Sequence, residues 1–260
     1  MNQTRIDKGN EFDFGKTSPD YALYRDIYPD SMYEKLYTLG IGHKNQKILD
    51  LGTGTGVFPR AMYTYGAEFT GIDISAEQIE YARKLSETMN ISYKVCSAES
   101  TGLNDNYFDI ITSVQSFIYL DRNTVIPEIK RLLKTNGKMV VIWMTWLPYE
   151  SIIAGETEKL ILKFNPQWTG GGYKRSQNDN FFNGFTDTFT VLDKINYTEN
   201  ISFNYETWTG RIRACRGVSA SLPENIVHKF NNEHLTLLKG ITKEPFDIVH
   251  EIKICIYGDF

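Results

Sequence analysis

The sequence predicts an α/β protein built on a doubly wound, mostly parallel sheet. Three observations predict it. Short apolar segments alternate with segments of helical spacing between residues 46 and 146, a glycine-rich loop follows the first apolar segment, and an aspartate ends the second. Strands that alternate with helices are joined by right-handed crossovers, so parallel strands lie side by side and helices cover both faces of the sheet.

A helical segment precedes the predicted sheet. Tyrosines recur mostly at spacings of three and four between Tyr21 and Tyr37, which is typical of one helix face. Pro29 interrupts the pattern because proline removes a backbone donor. We therefore predict two short helices, over residues 18–25 and 30–39.

The central region supplies five strands and the helices between them. Ser75, with Gln78 three residues later, forms a capping-box pattern at the start of a helix. Asn136 and Gly137 form a turn that leads into the fifth strand. The predicted strands are 47–52, 68–73, 91–98, 108–116 and 138–145, and the predicted helices are 57–65, 75–89 and 123–134.

The alternation ends after Trp146. The remaining elements are helices over 150–164 and 222–239, strands over 190–205 and 245–257, and a loop rich in Gly and Asn over 168–184. No linker separates this part from the sheet, so we predict one domain in three parts: 1–45, 46–146 and 147–260. The last part combines an insertion, or substrate-cap segment, with the closing strands.

Composition disfavours several classes of protein. The chain has 260 residues, with 28 Lys and Arg against 32 Asp and Glu, and a net charge of −4 disfavours a general nucleic-acid binder. The charge-free stretch over residues 139–149 is much shorter than the roughly 20 residues that span a bilayer. The first 16 residues have no apolar core, which disfavours a secretory signal. The three cysteines have neither metal-ligand nor disulfide-framework spacing. We expect a cytoplasmic monomer or homodimer without a metal or membrane partner.

The glycine-rich loop and a nearby acid predict a nucleotide-like ligand. Gly52, Gly54 and Gly56 let the backbone approach a ligand closely, and the helix that follows offers free N–H groups. Asp73 lies seventeen residues after Gly56. This is the position of the carboxylate that binds ribose hydroxyls in nucleotide-binding α/β folds.

Two details argue against a dinucleotide. The G-x-G-x-x-G fingerprint fails, because its sixth position is Val57 when counted from Gly52 and Pro59 when counted from Gly54. Asp50 places a negative charge beside the loop, which would repel a pyrophosphate. The same carboxylate suits a ligand with a cationic amino-acid end.

The D-x-G-x-G-x-G motif of residues 50–56 resembles class I S-adenosylmethionine-dependent methyltransferases that act on small molecules. The resemblance extends over residues 46–146 through GIDIS, CSAESTGL, YFDIITSVQSFIYLD and LLKTNGKMVVIW. It implies a Rossmann-like, seven-stranded sheet with its last strand antiparallel. It also implies S-adenosyl-L-methionine as the cofactor and S-adenosyl-L-homocysteine as its product.

The resemblance further implies roles for individual residues. Asp50 and the loop backbone would hold the methionine end, Asp73 the ribose, and Ile74 would pack on the adenine. The N-terminal YALYRDIYP resembles the lead-in of many small-molecule methyltransferases, in which this helix is a lid. The implied cofactor-binding residues are Arg25, Asp50, Gly52, Thr53, Gly54, Gly56, Asp73, Ile74, Ala98, Glu99 and Gln115.

The acceptor site is less clearly marked. The segment RIRACRGVSAS resembles part of the methyltransferases related to trans-aconitate methyltransferase, and Arg213 and Arg216 are spaced to share a helix face. They could bind an anionic substrate, and a solvated surface pair is the alternative. Tyr21 and Trp146 complete the candidate acceptor residues.

The chemistry needs few catalytic groups, because alignment supplies much of the rate. Related sequences often carry His-Trp where this chain has Ile118 and Tyr119, so no general base is assigned. Tyr28 and Tyr119 are the catalytic candidates. A carboxylate acceptor needs no base, whereas a hydroxyl usually does. We expect O-methylation of a small molecule at a carboxylate or hydroxyl; the alternatives are a quinone-type C-methyltransferase and a cofactor-binding accessory protein without activity.

Overall fold

The computed structural model describes residues 6–175 and 188–259. The strands are β1 (Lys47–Leu51), β2 (Glu68–Asp73), β3 (Ile91–Val95), β4 (Phe108–Val114), β5 (Leu133–Trp146), β6 (Thr190–Phe203) and β7 (Phe246–Gly258). The helices are α1 (Ser18–Tyr24), α2 (Asp30–Thr38), α3 (Val57–Met62), α4 (Ala76–Leu85), α5 (Arg122–Leu132), α6 (Ile152–Phe164), α7 (Tyr205–Arg213) and α8 (Glu224–Ile241). None of the helices in these two described ranges is long and apolar enough to cross a bilayer.

The strands form one seven-stranded sheet in the order β3-β2-β1-β4-β5-β7-β6. β1 to β5 pair in parallel, and β7 pairs antiparallel with both β5 and β6. The predicted fold class is therefore confirmed, including the antiparallel last strand. The strand order reverses between β1 and β4, and ligands of doubly wound folds bind at such a switch point, beyond the carboxyl ends of the strands.

The central strands β1, β4 and β7 are buried on both faces of the sheet, which explains their nearly continuous apolar runs. In β1, Ile48 and Leu49 are fully buried, and they belong to separate cores on opposite faces. Ile110 and Ile111 of β4 divide between the same two cores.

A third core lies in the C-terminal part of the chain. It joins Trp146 at the end of β5 to Trp208 of α7, Phe230 of α8 and Ile161 of α6. Helix α7 was not predicted. Asn204 caps it reciprocally with Thr207, and the predicted strand over 190–205 ends at Phe203 instead.

Several predicted boundaries are wrong. The helix predicted over 75–89 ends at Leu85, where the Ser86 hydroxyl donates to the Ala82 carbonyl. The third strand ends at Val95, and the fifth begins at Leu133. Residues 176–184 of the predicted loop lie outside the described residues.

Candidate functional site

A cavity of about 960 Å³ opens beyond the carboxyl ends of the parallel strands. This volume is in the range of small-molecule sites. Its wall combines the glycine loop, the ends of β2, β4 and β5, the N-terminal segment, Arg211 and residues 214–216. The predicted site residues that line it are Tyr21, Arg25, Gly52, Gly54, Asp73, Ile74, Ala98, Glu99, Gln115, Tyr119, Trp146 and Arg216.

The glycine loop excludes a side chain at Gly52 by close packing and disfavours one at Gly54 by its backbone conformation. Gly52 and Gly54 have φ of +64° and +56°, a left-handed conformation that favours glycine. A Cβ atom on Gly52 would lie 2.6 Å from the Cβ of Ser116, and one on Gly54 would lie 3.4 Å from the Cε1 of Tyr21. The loop therefore presents backbone to the cavity between the end of β4 and helix α1.

Asp73 is fixed at the end of β2 by the backbone of the same loop. Its Oδ2 accepts from the Gly54 N–H at 2.9 Å, and its Oδ1 accepts from the Ser75 N–H at 2.9 Å. Burial raises the pKa of Asp73, and these backbone donors act in the opposite direction. An ionised carboxylate has about four acceptor positions, so Asp73 keeps capacity for a further hydroxyl donor.

Asp50, Thr53 and Gly56 are not in the cavity wall, and the side chains of Asp50 and Thr53 are buried. The Oδ1 of Asp50 accepts from the Thr112 hydroxyl at 2.7 Å, and burial raises the pKa of Asp50 to about 7. The Thr53 N–H donates to the Ile72 carbonyl at 2.8 Å, which ties the loop to β2. These contacts position the loop, and they leave a direct ligand contact of Asp50 as a prediction.

The β2–β3 side of the cavity carries acids and one exposed aliphatic side chain. Ile74 is 66% exposed, although it is a large hydrophobic residue. Glu99 accepts from the Asp121 N–H at 3.0 Å through its Oε1. Gln115, at φ +62°, donates its side-chain amide to the Met144 carbonyl, so that side chain joins β4 to β5.

The N-terminal candidates differ in position. The guanidinium of Arg25 lies 4.7 Å from the ring centre of Tyr21, and both residues line the cavity. Tyr28 is absent from the cavity wall formed by the described residues, and burial raises its pKa above the ordinary range.

Tyr119 lies in the wall with its hydroxyl engaged. It accepts from Nη1 of Arg216 at 3.1 Å, and its ring packs 5.5 Å from that of Phe14. Burial is the largest influence on the pKa of Tyr119 and raises it. The hydroxyl is therefore protonated near neutral pH.

The two predicted acceptor arginines do not act as a pair. Arg213 ends α7 and binds Asp20 of α1, with Nη2 2.7 Å from Oδ1, and it does not line the cavity. Arg216 lies beyond the helix and pairs with the buried Asp7 at 2.7 Å. The expectation of a shared helix face is wrong because α7 ends at Arg213.

Sequence reasoning missed much of the wall on the β5 side. Arg211 lies within the RIRACRG segment, yet the spacing argument selected its neighbours Arg213 and Arg216. Tryptophans are common in protein cores, and their spacing in this sequence does not distinguish those that line the cavity from those in the core. The missed lining residues on this side are Trp143, Thr145, Trp168, Tyr173, Arg211 and Cys215.

Comparisons with known proteins agree with this architecture. Residues 49–141 match the methyltransferase domain family. The chain is 29% identical over 147 residues to an uncharacterized methyltransferase-like protein of Schizosaccharomyces pombe, covering 54% of this chain and 57% of that protein. It is 33% identical over 134 residues to the ubiquinone biosynthesis O-methyltransferase of Actinobacillus pleuropneumoniae, covering 48% of this chain and 56% of that protein. The matches thus span about half the length of these relatives.

Solved structures share the fold over most of the chain. The YcgJ protein of Bacillus subtilis superposes with a TM-score of 0.54 at 18% identity, covering 89% of this chain and all of that one. Geranyl diphosphate C-methyltransferase of Streptomyces coelicolor, solved with Mg²⁺, geranyl diphosphate and S-adenosyl-L-homocysteine, gives 0.50 at 16% identity. It covers 89% of this chain and 79% of that one. At such identities the likeness shows the fold alone.

Proposed function

Residues 49–141 form a class I methyltransferase domain, and on that premise we propose that the chain methylates a small molecule with S-adenosylmethionine as donor. The favoured reaction is O-methylation of a carboxylate or hydroxyl. The observation that carries the proposal is one shared cavity: the glycine loop and Asp73 line one side, and aromatic and arginine side chains line the other.

The residues present fit this cofactor. Asp73 keeps acceptor capacity for a ribose hydroxyl, and Ile74 offers an exposed apolar surface to an adenine ring. At Gly52 the loop has room for backbone only, because a Cβ there would lie 2.6 Å from the Cβ of Ser116. When bound, S-adenosylmethionine supplies an electrophilic methyl group on a sulfonium centre.

The chain's own residues support alignment more than proton removal. Tyr119 is protonated and accepts from Arg216, so it suits orientation of a ligand better than the role of a base. Tyr28 lies away from the described wall. A carboxylate is ionised at pH 7 and needs no base, which favours this acceptor over a hydroxyl. A relative named as an O-methyltransferase supports the same class of reaction.

The N-terminal helices suit the role of a lid. Tyr21 contacts the glycine loop, and the side-chain amide of Gln78 on α4 donates to the Phe14 carbonyl at 3.0 Å. The salt bridge between Arg213 and Asp20 connects α1 to α7. We propose that residues 1–45 close over the cofactor and that these contacts hold them in place.

Calorimetry of the full chain with S-adenosylhomocysteine tests the proposal. Asp73→Ala should weaken binding by about 1–3 kcal/mol, because charged hydrogen bonds are lost. Glu68→Ala is the matched control, since Glu68 is an exposed acid at the opposite end of β2. Binding of NAD without binding of S-adenosylhomocysteine would overturn the proposal. Cofactor binding without transfer to any acceptor would identify the accessory protein instead.

A further inference from the structure

Arg211 is a buried arginine in the cavity wall whose donors are largely unused. The residue is 4% exposed and belongs to helix α7. Its guanidinium carbon lies 5.1 Å from the ring centre of Trp146. Its Nε and Nη1 atoms are buried and have no hydrogen-bond partner among the described residues.

No described carboxylate compensates the charge of Arg211. Arg213 pairs with Asp20 and Arg216 pairs with Asp7, whereas no ion pair of Arg211 occurs within residues 6–175 and 188–259. Burial, followed by the nearby Arg25, lowers the pKa of Arg211 to about 9, so it remains cationic at neutral pH. A buried, unpaired guanidinium is costly and calls for an anion.

Arg25 and Arg211 differ in their aromatic contacts, although both line the cavity. Arg25 is linked to the glycine loop, because it stacks on Tyr21 and the Tyr21 ring contacts Gly54. Arg211 lies instead over Trp146 at the end of β5, and β4 separates β5 from β1 in the sheet.

Charge is also divided along the cavity. The acids Asp73, Glu77 and Glu99 lie at and beyond the ends of β2 and β3. Arg211 occupies the opposite side together with aromatic rings, including Trp146 and Trp168. The positive charge on this side would repel a cation, and the aromatic rings suit an anion that has an apolar body.

We propose that Arg211 binds a carboxylate of the methyl acceptor, and that the acceptor is a small organic acid with an apolar body. The inference rests on the proposed methyltransferase function and narrows its substrate class. Arg211 would bind this carboxylate through its guanidinium, whose carbon lies 5.1 Å from the ring centre of Trp146.

The first experiment needs no acceptor. Arg211→Met removes an uncompensated buried charge, so thermal unfolding of the unliganded protein should occur at the same or a higher Tm. Arg216→Met is the matched control: Arg216 is also a buried arginine, but its loss leaves Asp7 without its ion-pair partner, and Tm should fall by several degrees. A fall of Tm in Arg211→Met as large as in Arg216→Met would overturn the inference, since Arg211 would then have a structural partner.

The second experiment measures binding of probes by calorimetry in the presence of saturating S-adenosylhomocysteine. Phenylacetate and glutarate are compared with phenylacetamide and glutaramide. At least one acid should bind about tenfold more tightly than its amide, and Arg211→Met should abolish that difference while leaving S-adenosylhomocysteine affinity within about twofold. Lys159→Met, which removes an exposed charge on α6, should change neither affinity.

The remaining outcomes are distinguishable. Failure of the wild-type protein to bind S-adenosylhomocysteine would overturn the methyltransferase function itself. Retained cofactor binding without discrimination between acids and amides would overturn only the role of Arg211. Loss of cofactor binding in Arg211→Met would assign this residue to the cofactor instead. Loss of acid binding in Arg213→Met but not in Arg211→Met would overturn the role of Arg211 and assign acid binding to Arg213, as the sequence predicted.

Discussion

At the end of β1 the cavity is lined by the backbone of the glycine loop, whereas at the end of β5 it is lined by large side chains. The glycine loop and Asp73 are held by main-chain hydrogen bonds between residues less than 25 positions apart. On the β5 side, Trp146 lies beside Arg211 of α7, which is 65 positions away in sequence.

This difference indicates how the two sides can change. A wall of backbone atoms suits the cofactor, which stays the same when the acceptor changes, and it tolerates few substitutions. A wall of side chains from separate elements can change its chemistry residue by residue, so acceptor specificity is expected to reside there.

The largest expected effect concerns the C-terminal part of the chain. It tests whether the stability of this part depends on keeping a buried histidine neutral. His234 is fully buried, its Nε2 lies 3.0 Å from the Thr157 hydroxyl, and burial lowers its pKa to about 3. Because the unfolded chain binds this proton near pH 6.5 and the folded chain does not, stability is lost as pH falls from about 6.5 toward 3. His234→Gln should reduce the slope of the unfolding free energy against pH, within that window, by up to about 1.4 kcal/mol per pH unit.

Chemical denaturation at several pH values measures this slope. The exposed His228 on the same helix provides the control, His228→Gln, whose slope should match the wild type. Equal slopes in both variants would contradict the assignment of acid sensitivity to the C-terminal core.

A second prediction tests the backbone-lined side. Gly52→Ala adds a Cβ that meets Ser116 at 2.6 Å in a left-handed conformation, so S-adenosylhomocysteine binding should weaken by roughly 2–3 kcal/mol. Gly40→Ala has the same sign of φ with open space around it, and it should leave affinity unchanged in calorimetry. Equal losses in the two variants would mean that strain, and not close packing, governs this wall.

The smallest expected effect concerns the lid. Tyr21→Phe keeps the ring, which lies beside Gly54 and Arg25. It removes the hydroxyl, which lies 3.4 Å from Nη2 of Arg25, a long distance for a hydrogen bond. Affinity for S-adenosylhomocysteine should fall less than about threefold, or roughly 0.6 kcal/mol. A loss of tenfold or more would show that the hydroxyl itself contacts the ligand.

The sequence predicted the sheet and one side of the cavity because both follow local rules. The glycine loop follows a buried strand, and Asp73 ends the next strand, so both features are recognisable from neighbouring residues in the sequence. Helix α7 escaped prediction because its cap, Asn204 with Thr207, lacks the usual Glu or Gln partner. Arg211 could not be selected from RIRACRG, since its difference from Arg213 depends on Asp20, which is 193 positions away from Arg213.

The unpaired guanidinium of Arg211 has a consequence for turnover. A methyl ester carries no charge, so where the bound carboxylate is itself the group that is methylated, the product no longer compensates this residue. The β5 side of the cavity then holds the product more weakly than the acid it came from. Inhibition by accumulated ester is expected to be weak, and departure of the product is favoured by the same electrostatics that select the substrate.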